Sequence, residues 1–213
     1  MKRSVLIACV AGALSACQST TPAAPAAAPA MAADFDVLIT GGRLVDGSGA
    51  PWYRGDLGIT GDRITAIGQL ATRKATTRID ATNLVVSPGF IDMLGQSEFN
   101  VLVDGRAASK ITQGITTEIT GEGSSIAPVN DRLAASAKPQ YDRFKAVLDF
   151  RTLDQYFARL EKQRPAINVG TFVGAGGLRA YVVGDSQREA SASEIAEMQQ
   201  LVETAMTDRR AHV

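Results

Sequence analysis

The sequence predicts an α/β fold that follows a small β-sheet module, and two observations support this prediction. Short β-branched segments separated by glycine and aspartate turns fill residues 34–87, which is typical of a small sheet. After Pro88, apolar strand-like segments alternate with helical patterns as far as residue 206. This alternation favours a parallel sheet whose strands are connected by crossover helices.

The β module is predicted from residue 34 to residue 87. Residues 35–51 are expected to form two short strands joined at Gly41-Gly42, and residues 55–68 a hairpin that turns at Gly61-Asp62. Glycine and aspartate at such positions tolerate the backbone conformations of tight turns. Two further short strands are expected at residues 78–80 and 84–86.

Residues 88–213 are predicted to supply three strand–helix units. Strands are expected at residues 90–93, 115–120 and 168–173, and helices at residues 105–113, 138–150, 152–162 and 193–206. Gly114 is placed to end the first helix. Thr152 and Ser193 are the expected N-caps of the third and fourth helices.

The first 17 residues are expected to be a bacterial secretory signal. Lys2 and Arg3 precede an apolar run that is too short to span a membrane. Leu14-Ser15-Ala16-Cys17 resembles the lipobox of bacterial lipoproteins, which implies lipidation at Cys17 and a periplasm-facing chain anchored in the outer membrane. A plain cleaved signal is the alternative. Residues 18–33, rich in proline and alanine, are expected to form a tether.

Charge and histidine content exclude some kinds of function. The 22 basic side chains balance 22 acidic ones, so no electrostatic footprint for nucleic acid is present. The single histidine is His212, beside the C-terminus. Because histidine is the commonest ligand of catalytic zinc and the usual acid–base group near neutral pH, the chemistry cannot depend on a histidine cluster.

Several stretches resemble the amidohydrolase superfamily, namely DVLITGGRLVDGSGAP, DLGITGDRITAIG and RIDATNLVVSPGFID. KITQGITTEITGEGSSIAP and NVGTFVGAGGLRAYVVGDSQ narrow the resemblance to the N-acyl-D-amino-acid deacylases. The resemblance implies that residues 34–87 are part of a β-sandwich. It also implies that residues 88–213 are the first three units of an incomplete (β/α)8 metal-hydrolase barrel. The implied cofactor is a divalent metal, zinc above all, and the implied partner is a small amide substrate.

The site residues differ from the pattern of that family. The family usually has His-x-His where Leu94 and Gln96 stand, and a cysteine in the loop that is Gly121-Glu122-Gly123-Ser124-Ser125 here. Glu122 and Glu98 are the predicted metal ligands in their place. Alternatively, Glu122 accepts hydrogen bonds from loop amides and Glu98 is a solvated charge.

Substrate binding is predicted for Arg179, Gln96 and Ser124, which follow three successive strands. Because the carboxyl ends of barrel strands meet at one face, these segments should share a pocket, and their glycines should allow a ligand to approach the backbone closely. Arg179 could bind a carboxylate in bidentate fashion or form a structural salt bridge. Asp92 is assigned either a direct role or, as the alternative, a structural one at its strand end.

The length of the chain bears on activity. A (β/α)8 barrel takes about 250 residues, so the chain is expected to be a truncated, inactive fragment of a hydrolase of non-peptide C–N amide bonds. Its catalytic residues are expected beyond residue 213. The alternatives are a genuine short lipoprotein that binds a small ligand or partner without catalysis, and a relative that acts on another C–N bond.

Overall fold

The computed structural model describes residues 33–207, so the predicted signal, Cys17 and His212 lie outside the described residues. The described residues divide into two compact units. Residues 33–42 and 54–84 form the first unit, and residues 43–53 and 85–207 form the second. Within residues 33–207, no helix has both the length and the apolar character needed to cross a membrane.

One mixed sheet contains the first five strands. They are β1 (Phe35–Leu44), β2 (Tyr53–Thr60), β3 (Arg63–Gly68), β4 (Ala75–Asp80) and β5 (Val85–Val86). The strand order is β3-β2-β1-β4, and β5 pairs with the end of β1. The predicted hairpin at Gly61-Asp62 is confirmed, because β2 and β3 pair antiparallel on either side of it.

The prediction of two strands joined at Gly41-Gly42 is wrong, because β1 continues through both residues. Gly41 has a φ of +75°, which glycine adopts without the steric cost that other residues meet. Its N–H donates to the Asp56 carboxylate at 2.8 Å, and the N–H of Leu70 donates to the same carboxylate at 2.7 Å. Asp56 thereby ties β1 to the segment after β3 within the first unit.

The second unit contains a parallel sheet formed by β6 (Phe90–Asp92), β7 (Ile115–Thr120) and β8 (Asn168–Thr171). The strands lie side by side in chain order, as the alternation of strands and helices predicts. The bounds of β7 match the prediction, whereas β6 and β8 end slightly earlier than expected.

Within residues 85–207, six helices accompany this sheet: α1 (Glu98–Val103), α2 (Ala108–Ile111), α3 (Asp131–Arg143), α4 (Leu153–Gln163), α5 (Ala175–Val182) and α6 (Ala192–Thr207). The helix predicted over residues 138–150 is displaced, because the Asn130 side chain caps α3 by accepting from the N–H of Leu133 at 2.9 Å. Thr152 caps α4 as predicted, with Gln155 completing a capping box. The helix predicted over residues 105–113 is reduced to α2, and α1 and α5 were not predicted.

The prediction that Ser193 is the N-cap of α6 is wrong. The hydroxyl of Ser191 accepts from the N–H of Glu194 at 3.3 Å, and the Glu194 carboxylate accepts from the N–H of Ser191 at 2.8 Å. These reciprocal bonds form a capping box, so Ser193 lies inside the helix.

The core of the second unit is built from one cluster of apolar side chains between the helices. Because α4 buries one face, its Leu153, Tyr156, Phe157 and Leu160 are at the centre of this cluster. The other buried members are Val101, Leu102, Ala127, Tyr141, Phe150 and Ala205.

Candidate active site

A cleft of about 730 Å³ lies in the second unit, lined by the segments that follow the three parallel strands. Residues 94–99 come after β6, residues 121–129 come after β7, and Gly177 and Ala180 belong to α5, which follows β8. Carboxyl ends of neighbouring parallel strands share one edge of a sheet, and ligands bind at that edge in α/β proteins.

Four of the predicted site residues line this cleft together: Gln96, Glu98, Glu122 and Ser124. Gln96, Glu122 and Ser124 are exposed, whereas Glu98 is half-buried. Oε2 of Glu98 is buried and has no hydrogen-bond partner within residues 33–207. Burial raises the pKa of the Glu98 carboxyl, its own backbone N–H opposes that effect, and the charge of Glu118 adds to it.

Arg179 is not among the residues that line the cleft. Its guanidinium donates to the backbone carbonyl of Ser186 at 2.8 Å and to that of Arg188. These two bonds hold the segment after α5 against the helix. The assignment of Arg179 to a substrate carboxylate stays a prediction.

Two glycines expected to serve a ligand bring the two loops of the site together. A Cβ atom at Gly174 would lie 2.6 Å from the N atom of Ser124, and one at Gly176 would lie 2.6 Å from the carbonyl oxygen of Gly123. The N–H of Gly176 donates to that same carbonyl at 2.9 Å. Beside both glycines, backbone atoms of the loop after β7 therefore occupy the space that a ligand was expected to approach.

A partly buried charge cluster lies next to the cleft, and sequence reasoning missed two of its members. Asp92 and Glu118 are register partners on β6 and β7. The Nζ atom of Lys110 lies 2.7 Å from Oδ2 of Asp92 and 3.1 Å from Oε1 of Glu118. The hydroxyl and the N–H of Ser97 donate to Oε1 of Glu118 at 2.7 and 3.2 Å.

The environment of this charge cluster favours the charged forms of Asp92 and Lys110. The Lys110 hydrogen bond, followed by the N–H of Leu94, holds the pKa of the Asp92 carboxyl below its usual range. Burial alone lowers the pKa of the Lys110 ammonium, but its hydrogen bonds to Asp92 and Glu118 outweigh burial and raise that pKa. The N–H of Leu94 donates to Oδ1 of Asp92 at 3.1 Å, which favours the structural alternative for Asp92.

A sequence signal for this charge cluster does exist. Glu118 is the only charged residue in the strand ITTEIT, and its side chain is 0% exposed. Charged side chains are almost never fully buried without a partner, so a glutamate in such a strand indicates a cation nearby. Lys110 lies shortly before the strand in the sequence.

The described residues do not fit the zinc site that the resemblance implies. Zinc sites in proteins are built mainly from cysteine and histidine, with carboxylates as additional ligands. Residues 33–207 contain no cysteine and no histidine. In the same range, no three histidine, cysteine, aspartate or glutamate side chains are grouped so that they could hold a metal ion. Within residues 33–207, no third histidine, cysteine, aspartate or glutamate side chain therefore joins the predicted ligands Glu122 and Glu98 in a metal site.

No protein-family model matches the chain. Over 181 residues it is 41% identical to D-aminoacylase from Alcaligenes xylosoxydans xylosoxydans, covering 81% of this chain and 36% of that protein. The structure of N-acyl-D-glutamate deacylase from Bordetella bronchiseptica, in complex with zinc and a phosphonate inhibitor, matches with a TM-score of 0.69. That match has 36% identity and covers 80% of this chain and 36% of that one.

D-aminoacylase structures, described as a subset of amidohydrolases with a binuclear metal centre, match with a TM-score of 0.70 and 36% identity. They cover 82% of this chain and 37% of the solved chains. The predicted α/β fold is thereby confirmed. The chain spans a little over one third of the length of the curated relatives it matches. Over about four fifths of its length, the chain is homologous to a portion of the D-aminoacylases and N-acyl-D-glutamate deacylases of the amidohydrolase family.

Proposed function

We propose that the cleft after β6, β7 and β8 forms part of the substrate site of an amide hydrolase of the N-acyl-D-amino-acid deacylase type. One observation carries the proposal. Segments after all three parallel strands line a single cleft, within a chain that is 41% identical to D-aminoacylase over 181 residues. The substrate class is an N-acylated D-amino acid, the class that the relatives' names describe.

The exposure of β6 supports a larger barrel. Phe90 and Ile91 are both 60% exposed, although successive side chains of a strand point to opposite faces. Parallel sheets are normally covered on both faces. We therefore propose that β6, β7 and β8 are three strands of a (β/α)8 barrel. We also propose, from the resemblance to the amidohydrolases, that the sheet of β1 to β5 belongs to a β-sandwich.

Hydrogen bonding in the cleft suits a small polar substrate. Gln96 offers both a donor and an acceptor, and Ser124 offers a hydroxyl. Both are exposed side chains of the cleft, so they can reach a bound amide or carboxylate. Glu98, whose buried oxygen is unpaired within residues 33–207, adds a carboxyl with a raised pKa.

Hydrolysis needs groups that residues 33–207 do not provide. Because these residues offer no site for a metal ion, no catalytic step is assigned to them. We expect the 213-residue chain by itself not to hydrolyse an N-acyl-D-amino acid. The second candidate function is that of a non-catalytic lipoprotein that binds a small ligand. The described residues favour it because they contain no group of side chains that could hold a metal ion.

A binding experiment tests the proposal. Calorimetric titration of the 213-residue chain with N-acetyl-D-glutamate and N-acetyl-L-glutamate should show weak binding of the D form and weaker binding of the L form. Gln96→Ala should weaken binding of the D form about tenfold, the equivalent of about 1.4 kcal/mol, because a hydrogen bond is lost. Gln200→Ala, on the exposed face of α6, should leave binding unchanged.

Four outcomes would contradict this proposal. Equal binding of both enantiomers, or no binding of either, would overturn the assignment of the cleft. Insensitivity to Gln96→Ala would remove the assigned role of that side chain. Release of glutamate from N-acetyl-D-glutamate by the chain alone would show that the catalytic groups lie within these 213 residues.

We also propose that the chain is lipidated at Cys17 and anchored to a bacterial membrane facing the periplasm. The lipobox pattern Leu14-Ser15-Ala16-Cys17 supports this proposal. Intact-mass measurement of the protein extracted from membranes should show a species cleaved before Cys17 that carries acyl chains. Cys17→Ser should abolish the lipid mass, whereas an unmodified Cys17 in the membrane fraction would contradict the anchor.

A further inference from the structure

Asp92 and Glu118 form a pair of carboxylates on neighbouring strands. Their backbones are register partners in the parallel ladder of β6 and β7, and neighbouring strands lie about 4.8 Å apart. The Glu118 side chain is 0% exposed. The Asp92 side chain is 27% exposed. Two carboxylates this close disfavour each other's ionised form unless a positive charge joins them.

The Lys110 ammonium supplies this positive charge. Its Nζ atom contacts both carboxylates, at 2.7 Å for Asp92 and 3.1 Å for Glu118, and its side chain is only 17% exposed. Lys110 belongs to α2, in the connection between β6 and β7. Its attachment to the chain therefore keeps the ammonium at the pair without any dissociable ion.

The other donors around the pair are neutral. Ser97 donates twice to Oε1 of Glu118, and the N–H of Leu94 donates to Asp92. The charge of Glu118 also reaches the Glu98 carboxyl, where it raises the pKa of that group. Oε2 of Glu118, buried and without a partner within residues 33–207, leaves part of the acceptor capacity unused.

We propose that Lys110 is the resident cation of the Asp92–Glu118 pair and occupies the place where a divalent metal ion would otherwise bind. Two carboxylates with an unpaired buried oxygen suit a cation that prefers oxygen ligands, such as Mn²⁺. A metal ion beside the ammonium would meet a like charge, so the lysine excludes it. This inference rests on the charge cluster alone and not on the proposed hydrolase activity.

Manganese binding tests this assignment in the full 213-residue chain. MnCl2 is titrated into the full chain. The calorimetric heat of binding, and the change in unfolding temperature that MnCl2 causes, should be the same for the wild type and for Asp92→Asn, because the pair binds no metal. Lys110→Met should lower the unfolding temperature, and MnCl2 should restore several degrees of it. The double variant Lys110→Met/Asp92→Asn should lose that restoration.

Lys138→Met is the matched control. Lys138 pairs with Asp142 on the exposed face of α3, so its loss should create no manganese-dependent stabilisation. If Lys110→Met does not fold unaided, the yield of folded protein on refolding with and without MnCl2 replaces the unfolding temperature, with the same expected difference.

Two results would overturn the inference. The first is manganese binding by the wild type that Asp92→Asn abolishes, because the pair would then hold a metal despite Lys110. The second is a Lys110→Met variant that manganese neither stabilises nor helps to refold, because the lysine would then not occupy a cation site. Neither measurement uses an acyl amino acid, so neither depends on the outcome of the substrate titration.

Discussion

A Cβ atom at Gly95 would lie 1.9 Å from Oε1 of Glu118, so the buried carboxylate fills the space that any other side chain at position 95 would need. The N–H of Gly95 donates to the carbonyl of Ile119 at 2.8 Å. The segment after β6 therefore packs directly on β7. This contact fixes the position of the part of the cleft that carries Gln96 and Glu98.

Replacing Gly95 should destabilise the protein because the added methyl group overlaps Glu118. We expect Gly95→Ala to lower the free energy of unfolding by about 1–3 kcal/mol, the usual cost of overpacking. Urea unfolding followed by circular dichroism measures it. Gly123→Ala is the control, because a Cβ atom at Gly123 meets nothing within 4 Å. Equal stability of Gly95→Ala and wild type would contradict the packing described.

The hydroxyl of Tyr156 joins the core to the cleft. It donates to the backbone carbonyl of Glu98 at 3.0 Å from a side chain that is fully buried. Tyr156→Phe should lower the free energy of unfolding by about 1–2 kcal/mol, because a buried acceptor loses its donor. Tyr53→Phe, at an exposed side chain, should change it little. A loss of the same size in both variants would argue against the bond.

The start of α6 should depend on Ser191 and not on Ser193. Ser191 accepts from the N–H of Glu194, so Ser191→Ala should cost about 1 kcal/mol of unfolding free energy, as for other N-caps. Ser193→Ala, inside the helix, should cost clearly less. The two variants are compared in the same urea titration, and a larger effect at Ser193 would restore it as the cap.

The raised pKa of Glu98 predicts a pH dependence of stability. Its ordinary value is 4.5, and burial raises the value in the folded state. The folded state therefore holds this proton more tightly, and the associated stability is present below pH 4.5 and is lost as the pH rises through the raised pKa. Relative to Glu98→Gln, the wild type should become less stable between pH 4 and pH 7.

Urea unfolding at intervals across that pH range measures the difference between the two proteins. Glu122→Gln, which removes a charge from the exposed part of the same cleft, is the control and should not change the trend. A difference between wild type and Glu98→Gln that stays constant, or grows in favour of the wild type, would show that burial does not hold the Glu98 proton.

Local patterns were sufficient for several elements. The β-branched run at residues 115–120 predicted β7 with its bounds, because strand character is expressed in consecutive residues. The sequence identifies Thr152 as a cap because a capping residue acts on its own helix. It identifies the hairpin at Gly61-Asp62 for the same reason, since turn chemistry is local. The displaced α3 shows the limit of this reasoning, because Asn130 competes as a cap with later positions.

The sequence by itself determined the order of the strands β6, β7 and β8 and the segments that follow them, because hydrophobic periodicity and turn residues act over a few positions. Tertiary structure alone decided which charges meet. Lys110 reaches Asp92 and Glu118 only because β6 and β7 pair in parallel, and Gly174 and Gly176 contact loop backbone only because two loops pack together. Such contacts depend on the register of distant segments, which local patterns do not encode.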